Sequence, residues 1–146
     1  MDTVAHILRV KGSTVHNAAP GDTVLAAVEK MCAHNVGALL VCDAGHPVGM
    51  FTERDLMTSV ILGRKDPAVT TVGEVMSREV VYVEPVTSAS EAMAVMTERR
   101  CRHLPVAAEG RLVGLISIGD LVRWASRNQE FEIRMLTDYI CGKYPG

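Results

Sequence analysis

Two stretches of the chain repeat one order of residue types: a glycine, two apolar residues, a hydroxyl and, three positions on, a carboxylate. They are Gly49-Met50-Phe51-Thr52-Glu53-Arg54-Asp55 and Gly114-Leu115-Ile116-Ser117-Ile118-Gly119-Asp120. Glycine lets a ligand or a neighbouring backbone come close. The apolar pair can line a pocket wall. A hydroxyl at a strand–helix junction lies beside unpaired backbone N–H groups and the positive end of the helix dipole, where a phosphate is favoured. An aspartate one turn later can accept two hydrogen bonds, which suits the vicinal diol of a ribose. Phosphate, sugar and a flat base would then be met in order. The same spacing also makes an ordinary helix cap with an acid in its first turn. Two copies in register, each behind a Gly-apolar-apolar strand, favour the ligand site.

The elements that position these residues are duplicated too. Leu39–Asp55 and Leu104–Asp120 match at a constant offset of 65, as Leu39/Leu104, Val41/Val106, Val48/Val113, Gly49/Gly114, Thr52/Ser117 and Asp55/Asp120. The offset also holds upstream, as Val15/Val80, Pro20/Pro85, Thr23/Ser88, Ala27/Ala92 and Met31/Met96. A fixed period over this length marks an internal duplication. Val4, Ile7 and Leu8 share one face of a short helix, with Gly12 as its stop. Ser13–Val15 reads as extended and Asn17–Asp22 as a loop. Thr23 caps an amphipathic helix bearing Val24, Ala27, Val28, Met31 and Cys32, which ends at Asn35 or Gly37. Ala38–Cys42 and Val48–Phe51 are strands around the turn Asp43–Pro47. Thr52-x-x-Asp55 opens a helix running to Leu62 and closed by Gly63. Gly63–Glu74 reads as a polar linker. The second copy repeats the order with strand Val80–Val83, loop Glu84–Thr87, and a helix capped by Ser88 with Ala89, Ala92, Met93 and Met96 inside. Its hairpin strands are Leu104–Val106 and Leu112–Ile116, with the turn at Glu109-Gly110, and its closing helix is Ile118–Arg127. In the tail, Phe131, Leu136, Tyr139 and Ile140 outline one more weakly apolar helix. Each copy is thus β-α-β-β-α. One copy alone is too small to bury enough surface, so two packed sheet to sheet would share a core.

Bulk properties remove several function classes. Of 146 residues, 48% are hydrophobic, enough for a sizeable core. The net charge of −2 is scattered, and aromatics make up 4%, which argues against nucleic acid and anionic membranes as partners. Apolar runs such as Ala38–Cys42 are too short to cross a bilayer, and MDTVAHILRVKG has no signal-peptide core. Cys32, Cys42, Cys101 and Cys141 form no C-x-x-C and no zinc spacing, and read as free thiols in a reducing compartment. A cytoplasmic protein is expected. His6, His16, His34, His46 and His103 are dispersed, Arg99-Arg100-Cys101-Arg102 is a short basic cluster at a helix end, and no nucleophile–base order, metal-ligand cluster or carboxylate pair shares a motif. No enzyme, catalytic residue or metal site is expected.

Taken together, these stretches resemble the CBS domain pair, or Bateman module, of the stand-alone bacterial type. The resemblance runs from about Ser13 to Arg127 and rests on the helix Thr23–Met31, VGALLV at Val36–Val41, VGMFTERDL at Val48–Leu56, VGEVM at Val72–Met76, RHLPV at Arg102–Val106 and LVGLISIGDL at Leu112–Leu121. The tail FEIRMLTDYI is similar to the C-terminal helix of such pairs. The resemblance implies an α/β fold of tandem CBS domains packed through their sheets, with short terminal helices. It divides the chain into a helix over 1–12, a first domain over 13–66, a linker over 67–76, a second domain over 77–127 and a helical tail over 128–146. It also implies a non-catalytic regulatory module that binds AMP, ADP, ATP or NAD in clefts between the repeats, forms a homodimer and signals to an effector protein. A sensor of S-adenosylmethionine, or a dimerisation adaptor with vestigial pockets, is the alternative.

Carried over by residue, the resemblance gives ribose to Asp55 and Asp120 and phosphate to Thr52 and Ser117. It puts Arg102 and His103 at a basic position that phosphates meet. Val15 and Val80 would place backbone against adenine, and Phe51 and Ile116 would pack on it. The copies differ in two places: Val36-Gly37 stands where the second has Arg102-His103, and Arg54 where the second has Gly119. The two sites are therefore expected to differ in phosphate preference.

Overall fold

The computed structural model describes residues 2–126 and 137, and the expected tail helix, Arg127 and Cys141 lie outside them. The chain divides into two units, and the division is not a single cut. The first unit is Val15–Val80; the second joins Met1–Thr14 to the chain from Val81 onward.

The first helix, α1 (Val4–Lys11), belongs to the second unit, and in the first unit α2 (Val24–His34) follows β1 (Asn17–Ala18). Thr23 accepts the Ala26 N–H at 3.1 Å, and Asn35 ends the helix in the left-handed region at φ 55°. The buried residues Val24, Ala27 and Met31 recur with helical spacing, which is why this segment is a helix with one inward face. Strands β2 (Ala38–Asp43) and β3 (His46–Thr52) form an antiparallel hairpin, to which β1 adds in parallel through Asn17–Leu40 and Ala18–Val41. Positive φ at both Ala44 and Gly45 makes the two-residue turn that suits strand twist. The residues after β3 form α3 (Glu53–Asp55) and then a π-helical turn, Leu56–Ile61, in which the Leu62 N–H reaches Met57 O at 3.0 Å. One continuous α-helix was the sequence expectation.

The stretch that reads as a linker contains α4 (Val72–Val75), and Val72, Val75 and Met76 join the core of this unit. Val72 N–H bonds to Asp22 O at 2.8 Å and Val24 N–H to Thr70 O at 2.9 Å. Ser77 then pairs with Met50 along the free edge of β3. The polar composition of the segment hides three inward apolar positions on a single turn.

The second unit repeats this plan. It has α5 (Ala89–Arg99), β4 (His103–Ala108), β5 (Arg111–Ser117) and α6 (Ile118–Ala125), with α1 (Val4–Lys11) packed on the same core. Both hairpins shift register at the same place, between Val41 and Cys42 and between Val106 and Ala107. The first strand shrinks to one residue, Val83, which bridges Val106 in parallel. Extended pairing was expected over Ser13–Val15 and Val80–Val83. It falls instead on Asn17–Ala18 and Val83, because Ala18 and Val83 are the buried members of those segments.

Helix α1 plays for the second unit the part that α4 plays for the first. Ile7 and Val72 are 65 positions apart, and each lies in the core of its unit. Each unit is therefore closed by the helix that precedes the other copy in sequence. Glycine makes the contact possible. A Cβ on Gly114 would lie 2.7 Å from the Leu8 side chain of α1, and one on Gly49 would lie 2.6 Å from Ser77 O.

Candidate functional site

The two carboxylates of the repeated motif are both buried, Asp55 at 7% and Asp120 at 4% exposure. Each sits in the first turn of a helix that begins where a β-hairpin ends. Thr52 and Ser117 are the N-caps, and their hydroxyls accept the backbone N–H of Asp55 and Asp120 at 3.3 and 3.2 Å. The carboxylates return the bond, accepting Thr52 N–H at 2.9 Å and Ser117 N–H at 2.8 Å. These reciprocal bonds satisfy helix-end donors that would otherwise be orphaned.

A second donor reaches each carboxylate from a distant segment, and there the copies part. Ser77 Oγ donates to Asp55 Oδ1 at 2.8 Å. Asp120 instead receives Lys11 Nζ on Oδ2 at 2.7 Å and Arg123 on Oδ1. Among the described residues, Asp55 has no ion pair. Burial pushes the Asp120 carboxyl up, but the bonds from Lys11 and Ser117, with the Lys11 charge, outweigh it and hold the group below its ordinary value. Each carboxylate already has three donors, against a capacity of about four. A diol, with two hydroxyls to place, must displace one of them.

The other expected site residues are distributed as follows. Phe51 and Ile116 are fully enclosed, at 0% exposure, in the cores of the first and second units. They offer no surface to a base, because the pleat turns them inward. Val15 lies just before β1, outside any strand, and Val80 is the last residue of the first unit rather than the start of the second copy's strand. Arg54 is exposed on α3. Arg102 is half-buried, and its carbonyl accepts Ile118 N–H at 2.8 Å, as Gly37 O accepts Glu53 N–H at 3.1 Å in the first unit. His103 begins β4. Burial, with Arg102 and Lys11 nearby, lowers its pKa from 6.5 to about 4 despite the opposing pull of Asp120, so it is neutral at pH 7. His16 and His34, which look dispersed in sequence, stack with ring centroids 4.0 Å apart.

The donors Ser77, Lys11 and Arg123 escape a reading of the motif alone. Two of them come from corresponding segments, although their residue types do not repeat. The offset of 65 aligns Lys11 with Met76 and Gly12 with Ser77, so both copies carry the same lead-in segment. Beside Asp120 the second unit holds a cavity of about 230 Å³, lined also by the apolar Ile7, Val10 and Trp124 and the polar His6, Lys11 and Arg123.

Comparison with known proteins finds the repeat twice, and its second match begins at α4, within the first unit. The family model of the CBS domain matches residues 13–61 and 72–127. The mitochondrial CBS domain-containing protein CBSX3 of Arabidopsis thaliana is 35% identical over 151 aligned positions, covering 97% of this chain and 73% of its own. The structure of a proposed signal-transduction protein with CBS domains from Burkholderia ambifaria MC40-6 superposes with a TM-score of 0.85 at 45% identity, covering 87% of this chain and 96% of that one. A hexameric CBS-CP12 protein from bloom-forming cyanobacteria superposes with a TM-score of 0.74 at 25% identity, covering 84% of this chain and 70% of that one. Among the described residues, no helix is long and apolar enough to cross a membrane, and no group of three or more His, Cys, Asp or Glu could hold a metal ion.

Proposed function

The chain belongs to the CBS domain family, and from that premise we propose that it is a non-catalytic regulatory module that binds adenine-containing nucleotides (AMP, ADP, ATP or NAD) through Asp55 and Asp120. One observation carries the reading. Among the described residues four helices open with a capping box, and the two that use glutamate, Thr71–Glu74 and Ser88–Glu91, leave that glutamate exposed. The two that use aspartate bury it and bring it a donor from a segment far along the chain. A cap alone does not need that arrangement, since an exposed acid serves it equally well. A duplicated, buried and re-addressed carboxylate is what a polyol ligand site requires.

A thermal-shift panel with AMP, ADP, ATP, NAD, S-adenosylmethionine and GTP tests the reading, with calorimetry on any ligand that acts. A ligand at about 100 times its Kd adds about 2.7 kcal/mol, or several degrees in a chain of this size. Stabilisation by adenine ligands and not by GTP, lost in the Asp55→Ala/Asp120→Ala variant, is the expected result. A dimerisation adaptor with vestigial pockets is the second reading. It is favoured by the enclosed Phe51 and Ile116 and by carboxylates that already hold three donors. No shift with any ligand selects it.

Self-association goes with either reading. Met57, Ile61 and Leu62 expose 56, 59 and 76% of their surface on one turn of the first unit, a cluster of the kind that marks a protein interface. We assign it to a homodimer, and light scattering on Met57→Glu/Ile61→Glu tests that. A hexamer, as in the CBS-CP12 relative, would overturn the assignment. A cytoplasmic location and an effector protein that reads the ligand-bound state complete the proposal, since a ligand regulates only by favouring one state over another.

A further inference from the structure

Lys11 ends α1, outside the residues that the CBS domain model matches, yet it reaches the motif of the second copy. Its Nζ is 2.7 Å from Asp120 Oδ2 and 2.7 Å from Leu115 O, which leaves one of three ammonium protons unassigned. The side chain is 30% exposed where it borders the cavity. Helix α1 is fixed in place by Val4 N–H on Thr87 O at 2.8 Å, Ala5 N–H on Pro85 O at 2.9 Å, and the Asp2 carboxylate on Trp124 Nε1. The ammonium is therefore held at the cavity by packed backbone. Two cations, Lys11 and Arg123, share the Asp120 carboxylate there, while the nearby Asp2 carboxylate is held by Trp124 Nε1. At about 230 Å³ the cavity takes part of a ligand and not the whole, being below the usual pocket range of roughly 300–1,000 Å³. At Asp55 the corresponding donor is the uncharged Ser77 hydroxyl.

We propose that Lys11 is the specificity-determining residue of the second copy's site: a ligand phosphate draws its ammonium off Asp120, which frees the carboxylate for the ribose diol, so this site selects phosphorylated nucleosides while the Asp55 site does not. The proposal rests on the nucleotide-binding reading above. Its chemistry is an exchange of partners. The ammonium trades a carboxylate for a phosphate, and the carboxylate trades an ammonium for two hydroxyls, so no buried charge is left unpaired. An unphosphorylated nucleoside must break the Lys11–Asp120 pair with nothing to offer the ammonium.

Trp124 is the single tryptophan of the chain and lines this cavity, so its fluorescence reports this site alone. AMP and adenosine are titrated against the wild type, Lys11→Met and Lys11→Arg, with calorimetry in parallel and thermal melts to check folding. In the wild type AMP should bind at the Trp124 site at least tenfold tighter than adenosine. Lys11→Met should cut that ratio tenfold or more by weakening AMP and leaving adenosine unchanged or tighter, and Lys11→Arg should keep most of the preference. If Lys11→Met folds and its AMP/adenosine ratio matches the wild type, the role of Lys11 is overturned while nucleotide binding stands. If neither ligand gives heat or a fluorescence change in the wild type, this inference falls, and the nucleotide reading falls with it if ADP, ATP and NAD are silent too.

Discussion

The two units use one backbone plan and differ in the charge around one carboxylate. Asp55 is held by hydroxyls and a backbone amide, and Asp120 by an ammonium, a guanidinium and a backbone amide. At the constant offset the counterparts of Arg102 and His103 are Gly37 and Ala38, which corrects their pairing with Val36-Gly37, so beside this second constellation His103 stands where the first unit has a small buried alanine. Duplication evidently fixes geometry well and chemistry loosely. The hairpin turns, the bulges and the left-handed residues Asn35 and Arg100 recur at the same offset. The residues arriving from the lead-in segments do not.

The largest effect should come from the lead-in helix. Ile7→Ala removes a side chain 5% exposed in the second core, and a buried Ile→Ala change costs about 2–5 kcal/mol. Hydrogen exchange should show the loss in residues 81–126 and leave 15–80 protected. Equal loss in both units would contradict the division of the chain.

Acid should also separate the units. His103 has a folded pKa of about 4 against 6.5 for the unfolded chain, so between those values the unfolded chain binds the extra proton. Stability of the second unit therefore falls as the pH drops from 6.5 to 4, by up to about 3 kcal/mol. Urea melts across that range should show a slope that His103→Gln flattens. An unchanged slope in the variant would remove His103 as the cause.

Glycine substitutions come next and sharpen the contrast in what covers each motif. The new methyl of Gly49→Ala meets the backbone oxygen of Ser77, and that of Gly114→Ala meets the tip of a leucine. Overpacking costs about 1–3 kcal/mol, so Gly49→Ala should lie near the top of that range and Gly114→Ala near the bottom. Chemical denaturation orders them, and the reverse order would mean that the Ser77 segment moves more easily than α1. The smallest effect belongs to Arg123→Ala. Its side chain is 72% exposed, and exposed pairs contribute about 0–1 kcal/mol, so a melt should barely move.

Much of this was legible in the residues. The constant offset gave the repeat, and Thr23, Thr52, Ser88 and Ser117 announced helix starts that the structure places there. Local chemistry sufficed for caps and turns because their partners lie within four residues. It failed where the partner is remote. Nothing near Lys11 in sequence points to Asp120, 109 positions away, and nothing in Leu56–Ile61 separates a π turn from an α-helix. The polar look of Gly63–Glu74 concealed Val72 and the start of α4 because a four-residue helix is too short to show a period.

The exchange of lead-in helices also sets an order in time. Residues 15–80 form one unbroken stretch of chain, and the first unit can fold once that stretch exists. The second unit must bring residues 1–14 to a partner that begins at Val81, which adds loop-closure entropy of roughly 4 kcal/mol before any contact repays it. At about 5–20 residues per second of synthesis, the partner follows seconds later. Until then Val4, Ile7 and Leu8 stay uncovered, which makes α1 the segment most open to a chaperone during synthesis. Among the described helices, α1 waits longest between synthesis and burial.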